Sequence, residues 1–174
     1  MGKRSGFERT PRDYYRTFDP KAGIALKPYV KENSTYIEPF AGAGDLINQL
    51  TYLNCVGKSD IEPQVEGIET KDAFLYTEAD FTNVDFCISN PPWDRKLLHP
   101  LIEHFANIVP TWYLHDSDWL FNKSSSPLIS KYLVKVVTIG RMRWQEDTNM
   151  SGKDNCIWAL YDVKKSEPTI FHGR

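Results

Sequence analysis

The sequence predicts an α/β protein with a mostly parallel central sheet, helices on both faces and an antiparallel hairpin at its C-terminal end. Three observations carry this. Short apolar runs alternate along the chain with helix- or turn-like segments. The first run ends in a glycine-rich turn and the fourth in a double proline, so the polar and special residues gather at the carboxyl ends of strands. The last two runs have no helix between them, so one of them reverses direction.

Each element follows in order. Residues 1–13 are polar and basic, broken by Gly2, Gly6 and Pro11, and read as a mobile arm; residues 14–174 read as a single domain. Between Tyr14 and Tyr29, a turn at Phe18-Asp-Pro20 leads into a short helix with apolar Ile24, Ala25 and Leu26. Thr35-Tyr-Ile-Glu38 is a short buried strand that Pro39 ends. The turn Phe40-Ala-Gly-Ala-Gly44 follows. Asp45 can then cap a helix through Leu53, with Leu46, Leu50 and Leu53 on one face. Cys55 to Asp60 is the second strand and Gly67 to Thr70 the third, and the linker between them is too short for a crossover helix. Val84 to Ser89 is the fourth strand and runs into Asn90-Pro-Pro-Trp93. Residues 95–106 read as a helix that Pro100 should bend or delay. Val109 to Leu114 is the fifth strand, and residues 117–131 are a loop and short helix. Leu133 to Met142 and Cys156 to Val163 form the terminal hairpin around a polar loop.

Composition narrows the function. A chain of 174 residues can bury a core without a disulfide or metal staple. With 21 Lys+Arg against 23 Asp+Glu, the net charge of −2 excludes binding of nucleic acid by bulk charge, although a local basic patch stays open. Cys55, Cys87 and Cys156 lie far apart and form no pair motif, which suits a reduced, cytoplasmic setting. His99, His104, His115 and His172 show no zinc spacing, so no metal is expected. Met1 to Arg16 has no apolar core for a signal peptide, and no stretch is apolar enough for a membrane span.

Two segments carry chemistry. The first is Glu38-Pro-Phe-Ala-Gly-Ala-Gly44. Its glycines let the backbone approach a ligand, and Asp60 at the next strand end offers a carboxylate suited to ribose hydroxyls, with Glu62 as the alternative. The dinucleotide fingerprint is incomplete, because Ile47 holds the third glycine position. Gly57-Lys-Ser59 resembles the end of a phosphate loop, but Tyr52 stands where the upstream glycine is needed. The second is Asn90-Pro-Pro-Trp93. Its prolines hold a tight backbone, an Asn side chain and a fixed carbonyl can accept both hydrogens of an exocyclic amine, and an indole can stack on a planar ring.

These two motifs, in this order, resemble the class I AdoMet-dependent amino-methyltransferases, particularly the small phage-type DNA adenine-N6 methyltransferases, whose catalytic motif is (D/N)PP(Y/F/W). The resemblance implies a Rossmann-like fold over most of the chain and S-adenosyl-L-methionine as cofactor. It implies cofactor contacts from Tyr15, Thr17 and Phe18, from Glu38, Phe40, Ala41, Gly42 and Gly44, from Asp60 and Ile61, from Asp72 and Ala73, and from Asn90. It implies catalysis at Asn90, Pro91, Pro92 and Trp93: Asn90 and the Pro91 carbonyl accept from adenine N6, and Trp93 stacks on the base. Arg141, Arg143, Trp144 and Lys153, in the hairpin, would meet the target nucleic acid, most likely DNA. No stretch resembles a separate target-recognition domain, which leaves room for a homodimer or a recognition partner.

Plainer readings stand beside these. Asp72 is equally a helix cap, and the basic residues around Trp144 equally a solvated hairpin. Lys3, Arg4, Arg9, Arg12 and Arg16 are either a phosphate-binding arm or a solvated tail. His115 follows the ligand side of a strand but reads as a packed residue rather than a base, and Trp112, Trp119 and Trp158 read as core. The same chemistry on RNA adenine, cytosine N4 or a protein glutamine is the alternative, as is an inactive cofactor-binding subunit.

Overall fold

A computed structural model describes residues 15–146 and 150–174; the arm expected over residues 1–13 lies outside them. Eight strands form one sheet: β1 (Thr35–Glu38), β2 (Asn54–Asp60), β3 (Glu69–Thr70), β4 (Phe86–Ser89), β5 (Thr111–Asp116), β6 (Leu133–Arg141), β7 (Asn155–Tyr161) and β8 (Ile170–His172). Their order is β3-β2-β1-β4-β5-β7-β6-β8. The first five strands are parallel neighbours. β7 lies antiparallel between β5 and β6, which makes it the reversed strand of the expected hairpin. β8 adds to the far edge, parallel to β6.

The alternation of side chains divides the core into two layers. On β5, Trp112 and Leu114 face one layer while Tyr113 faces the other. On β7, Cys156 and Trp158 share the first layer, and Ile157, Ala159 and Tyr161 the second. The first layer is covered by helix α1 (Lys21–Leu26) and by Leu46, Leu50 and Leu53. The second is covered by helix α2 (Arg95–Ile108), through Leu98, Leu101, Ile102, Phe105 and Ala106, and by helix α3 (Ser126–Tyr132). Trp112, Trp119 and Trp158 are buried core residues, as expected.

Three elements differ from the sequence expectation. The helix expected from Asp45 to Leu53 is a run of turns: the i→i−4 bonds Asn48 N–Gly44 O and Leu50 N–Leu46 O alternate with i→i−3 bonds. The segment is short for a stable helix, and Asn48 and Thr51 have weak helix propensity, so tertiary burial of the three leucines sets its shape. α2 starts at Arg95 without delay, because the Asp94 side chain accepts from Lys96 N at 3.0 Å and caps it. Pro100 sits within it on an exposed position. β8 carried no signal in the sequence, since its Ile170 and Phe171 are exposed and only backbone pairing with β6 defines it. The connections after β1 and after β2 both lack a helix, as the short second linker required. No helix is long and apolar enough to cross a membrane among the described residues.

His115 lies wholly inside the second layer, as the packed reading expected. Its Nδ1 donates to the Asp116 carbonyl at 2.8 Å, which leaves Nε2 to accept from the Tyr161 hydroxyl at 2.8 Å. Burial lowers its pKa from 6.5 to about 4. Between those values the unfolded chain binds a proton that the folded chain does not. The ring's contribution to stability is therefore complete above pH 6.5 and is lost as pH falls toward 4, with a slope of up to about 1.4 kcal/mol per pH unit. Chemical denaturation of wild type and His115→Gln across this range should show the wild-type advantage shrinking on acidification; a constant difference would contradict a buried neutral ring.

Candidate active site

A cleft of about 250 Å³ opens at the carboxyl ends of β1, β2 and β4. Its floor is the loop after β1. Gly42 has φ +52° and Gly44 φ +80°, the left-handed region where only glycine is unstrained. The loop is tied to the end of β2: Ala41 N donates to Ser59 O at 2.9 Å, and Gln64 N to Gly42 O at 3.0 Å. Asp60 completes the tie. One carboxylate oxygen accepts from Gly42 N and the other from Glu62 N, each at 2.8 Å. Asp60 therefore shapes the loop as well as lining the cleft, and Glu62 lines it from an exposed position.

Glu38 ends β1 at only 2% exposure, and its Oε2 has no hydrogen-bond partner. Burial pushes its carboxyl well above the usual carboxylate range; the neighbouring Ser89 hydroxyl opposes this, and Asp60 and Asp45 add to it. With Asp45, Asp60, Glu62 and Asp72 also lining the cleft and Arg16 the one basic lining residue, the site suits a cation better than an anion. Asp72 is the N-cap of the 3-10 turn Ala73–Leu75, accepting from Phe74 N at 3.0 Å, so both of its readings meet in one place.

Residues 15–19 cross the cleft's other side. The Thr17 hydroxyl is buried and accepts from Asn90 Nδ2 at 3.0 Å, and Tyr15 O accepts from the same amide at 3.4 Å. Gln49 Nε2 donates to Thr17 O, while its Oε1 accepts from Gly23 N at 3.0 Å. Arg16 forms a bidentate pair with Asp45 at 2.6 and 2.8 Å and reaches Glu146 at 2.8 Å. Its position across the cleft mouth makes it a strap rather than part of a phosphate-binding arm. Lys3, Arg4, Arg9 and Arg12 of that arm lie outside the described residues.

Asn90 is held from both sides. Its Oδ1 accepts from Trp93 Nε1 at 3.0 Å, and the same indole N–H reaches Leu114 O at 3.1 Å. Pro92 lines the cleft beside Asn90, whereas Pro91 is buried and Trp93 packs half-buried against the first core layer. Trp144 stands perpendicular to Trp93 at 5.3 Å and meets Tyr15 at 6.3 Å. Gly152 permits this, since a Cβ there would lie 2.8 Å from the Trp144 ring.

Of the residues expected to hold a cofactor, Tyr15, Thr17, Glu38, Phe40, Ala41, Gly42, Asp60, Ile61, Asp72, Ala73 and Asn90 line the cleft. Gly44 shapes the loop without lining it, and Phe18 packs under the Arg143 guanidinium at 5.6 Å. Arg141 and Lys153 are exposed on the hairpin, away from the cleft. Sequence reasoning missed Asp45 as an ion-pair partner and Leu97 and Leu101 as a wall from α2. Only the Leu97/Leu101 spacing of four on a predicted helix could have pointed to that wall.

The sequence matches no protein-family model and no curated protein. In fold it is similar to a proposed RNA methyltransferase from Pyrococcus horikoshii, with TM-score 0.58 and 13% identity over 92% of this chain and 93% of that one. It is also similar to a SAM-dependent O-methyltransferase from Thermotoga maritima, with TM-score 0.53 and 12% identity over 84% of this chain and 66% of that one. A third likeness is to a proposed hemolysin from Lactococcus lactis, with TM-score 0.55 and 12% identity over 89% of this chain and 93% of that one. At these identities the likeness establishes the Rossmann-like methyltransferase fold; function has to come from the site.

The unpartnered Glu38 carboxyl makes a prediction of its own. Its raised pKa costs stability as pH rises above the ordinary carboxylate range, because the unfolded chain then releases a proton that the folded chain keeps. Glu38→Gln should therefore raise the ligand-free unfolding midpoint at neutral pH, by on the order of 1 kcal/mol. The gain should disappear toward pH 4. A variant less stable than wild type at pH 8 would contradict the assignment.

Proposed function

We propose that the cleft binds S-adenosyl-L-methionine and that the chain transfers its methyl group to an exocyclic amine of a nucleobase, adenine N6 in DNA. The observation that carries this is the clamped Asn90 at the cleft edge, its amide directed to Thr17 and its carbonyl oxygen to Trp93. That oxygen keeps one lone pair for a substrate N–H.

The cleft's residues fit the cofactor. The acidic lining and the spare oxygen of Glu38 suit a ligand that carries positive charge. Asp60 or Glu62 can receive ribose hydroxyls, with Ile61, Ala73 and Phe74 as apolar neighbours for a ring. Bound there, the cofactor supplies a methyl group on a positively charged sulfur. In our reading, Asn90 Oδ1 and the Pro91 carbonyl accept the two amine hydrogens. This turns the nitrogen lone pair away from conjugation with the ring and aims it into the cleft. The same oxygens stabilise positive charge as it develops on nitrogen, which then loses a proton to solvent. Trp93 holds Asn90 through its indole N–H and stacks on the base, which must first leave its own stack at a cost of a few kcal/mol. No general base is required, and buried neutral His115 is not one.

We read residues 14–174 as one catalytic domain. The fold likeness to a proposed RNA methyltransferase supports an RNA base as a second reading of the acceptor. Incubation with methyl-labelled cofactor and pools of DNA, RNA and protein, followed by digestion, separates these; label in none of the pools would refute the transfer.

Saturating S-adenosyl-L-methionine should raise the unfolding temperature, and no shift would sink the cofactor assignment. Binding of a cation ionises Glu38. Affinity should then rise with pH above the ordinary carboxylate range, and Glu38→Gln should flatten that dependence. Asn90→Ala should lower kcat by at least about 100-fold while the cofactor Kd moves less than about tenfold. Retained turnover in that variant would remove Asn90 from its role.

A further inference from the structure

A second groove lies between α1 and the β6–β8 edge, with a volume of about 280 Å³. Its floor is apolar, from Ile24, Tyr29, Val137 and Ile139, and Lys21 and Arg174 stand on its rim. Lys21 Nζ donates to the Arg141 carbonyl at 2.9 Å, which brings the exposed end of β6 to the same rim. At the opposite end, Lys135 sits over the Tyr29 ring at 5.6 Å. The acids nearby are already engaged. Asp19 is buried and accepts from Lys21 N and Arg143 N, at 3.1 and 2.9 Å. Glu32 pairs with Lys27 at 3.8 Å.

We propose that this groove is a track for the phosphodiester backbone of a nucleic-acid strand. The proposal rests on the reading of the acceptor as a nucleobase, and it extends that reading to a binding surface outside the cleft. The track is continuous with the acceptor side. From Arg141 the chain passes to Arg143, whose guanidinium covers Phe18, and then to Trp144, which stands against Trp93 beside Asn90. A strand whose phosphates follow Arg174, Lys21 and Arg141 is thereby led toward the site where a base would be presented. Charge is sorted accordingly: the cleft is acidic and the groove basic, so a chain of net charge −2 offers a polyanion one favourable route. Attraction here is independent of sequence, because phosphate contacts position a strand without reading bases.

The test is fluorescence anisotropy of labelled single-stranded DNA and RNA across a salt series, on the full chain. Lys21→Glu/Arg174→Glu should weaken binding about tenfold at low salt and reduce the slope of log Kd against log salt by roughly one. Lys58→Glu/Lys164→Glu changes the net charge equally at exposed positions outside the groove and should have a much smaller effect. Equal losses in both double variants would overturn the track while leaving the nucleic-acid reading standing. Failure of the wild type to bind either strand would overturn both. Calorimetric titration with S-adenosyl-L-methionine should give the wild-type Kd in both double variants, which keeps the cofactor assignment separate.

Discussion

The amide of Asn90 is the point on which the site depends. Its nitrogen is bonded to Thr17 and Tyr15 of the segment before α1, and its oxygen to Trp93, whose indole also reaches the carbonyl of Leu114 on β5. One side chain thus joins the N-terminal segment, the end of β4 and the end of β5. The indole N–H is a donor only, so it turns the Asn90 oxygen toward itself and leaves the amide nitrogen for Thr17. The two prolines after Asn90 add a backbone with little freedom. The result is an acceptor oxygen whose direction is set before any ligand arrives, which is what a reaction governed by positioning requires.

The cleft and its surroundings show how burial is used to hold charge out of balance. Glu38 sits at the end of a buried strand with an oxygen unpaired, an arrangement that weakens the ligand-free protein. Asp60 spends both oxygens on backbone N–H groups, so the loop keeps its shape. Arg16 straps the mouth by pairing with Asp45; the pair is partly exposed, so its worth is about 1 kcal/mol and its main effect is geometric. Asp19 ties the same N-terminal segment to the hairpin through Arg143 N. Two acids inside the cleft and two at its edge therefore perform four different tasks, set by what each can hydrogen-bond.

Much of this was legible in the sequence. β1 was expected with the boundaries it has, β2 and β7 begin one residue earlier, and the layer-forming tryptophans were expected in the core. These signals are local: strand boundaries follow from apolar runs stopped by proline, glycine or polar residues. The glycine loop and Asn90 were equally legible, because a backbone near a ligand needs glycine and a rigid acceptor needs proline beside it. The helix after Asp45 was misjudged for the complementary reason. Its leucine spacing suits a helix, but the segment packs against α1 where Gly23 leaves room for Gln49, and that contact spans 26 residues.

By itself, the sequence determined the strands, the glycine turn and the Asn90-Pro-Pro-Trp93 motif, since each depends on neighbouring residues alone. Only the tertiary structure decided that Arg16 would close on Asp45, that Trp93 would bond Asn90 while standing against Trp144, and that Lys21 and Arg174 would share a groove. These partners lie on different strands or loops, and their meeting follows from sheet order, which places β7 between β5 and β6 and β8 on the outer edge. A hydrogen bond or a field of charge acts over a few ångströms of space, and the linear chain does not contain that distance until it has folded.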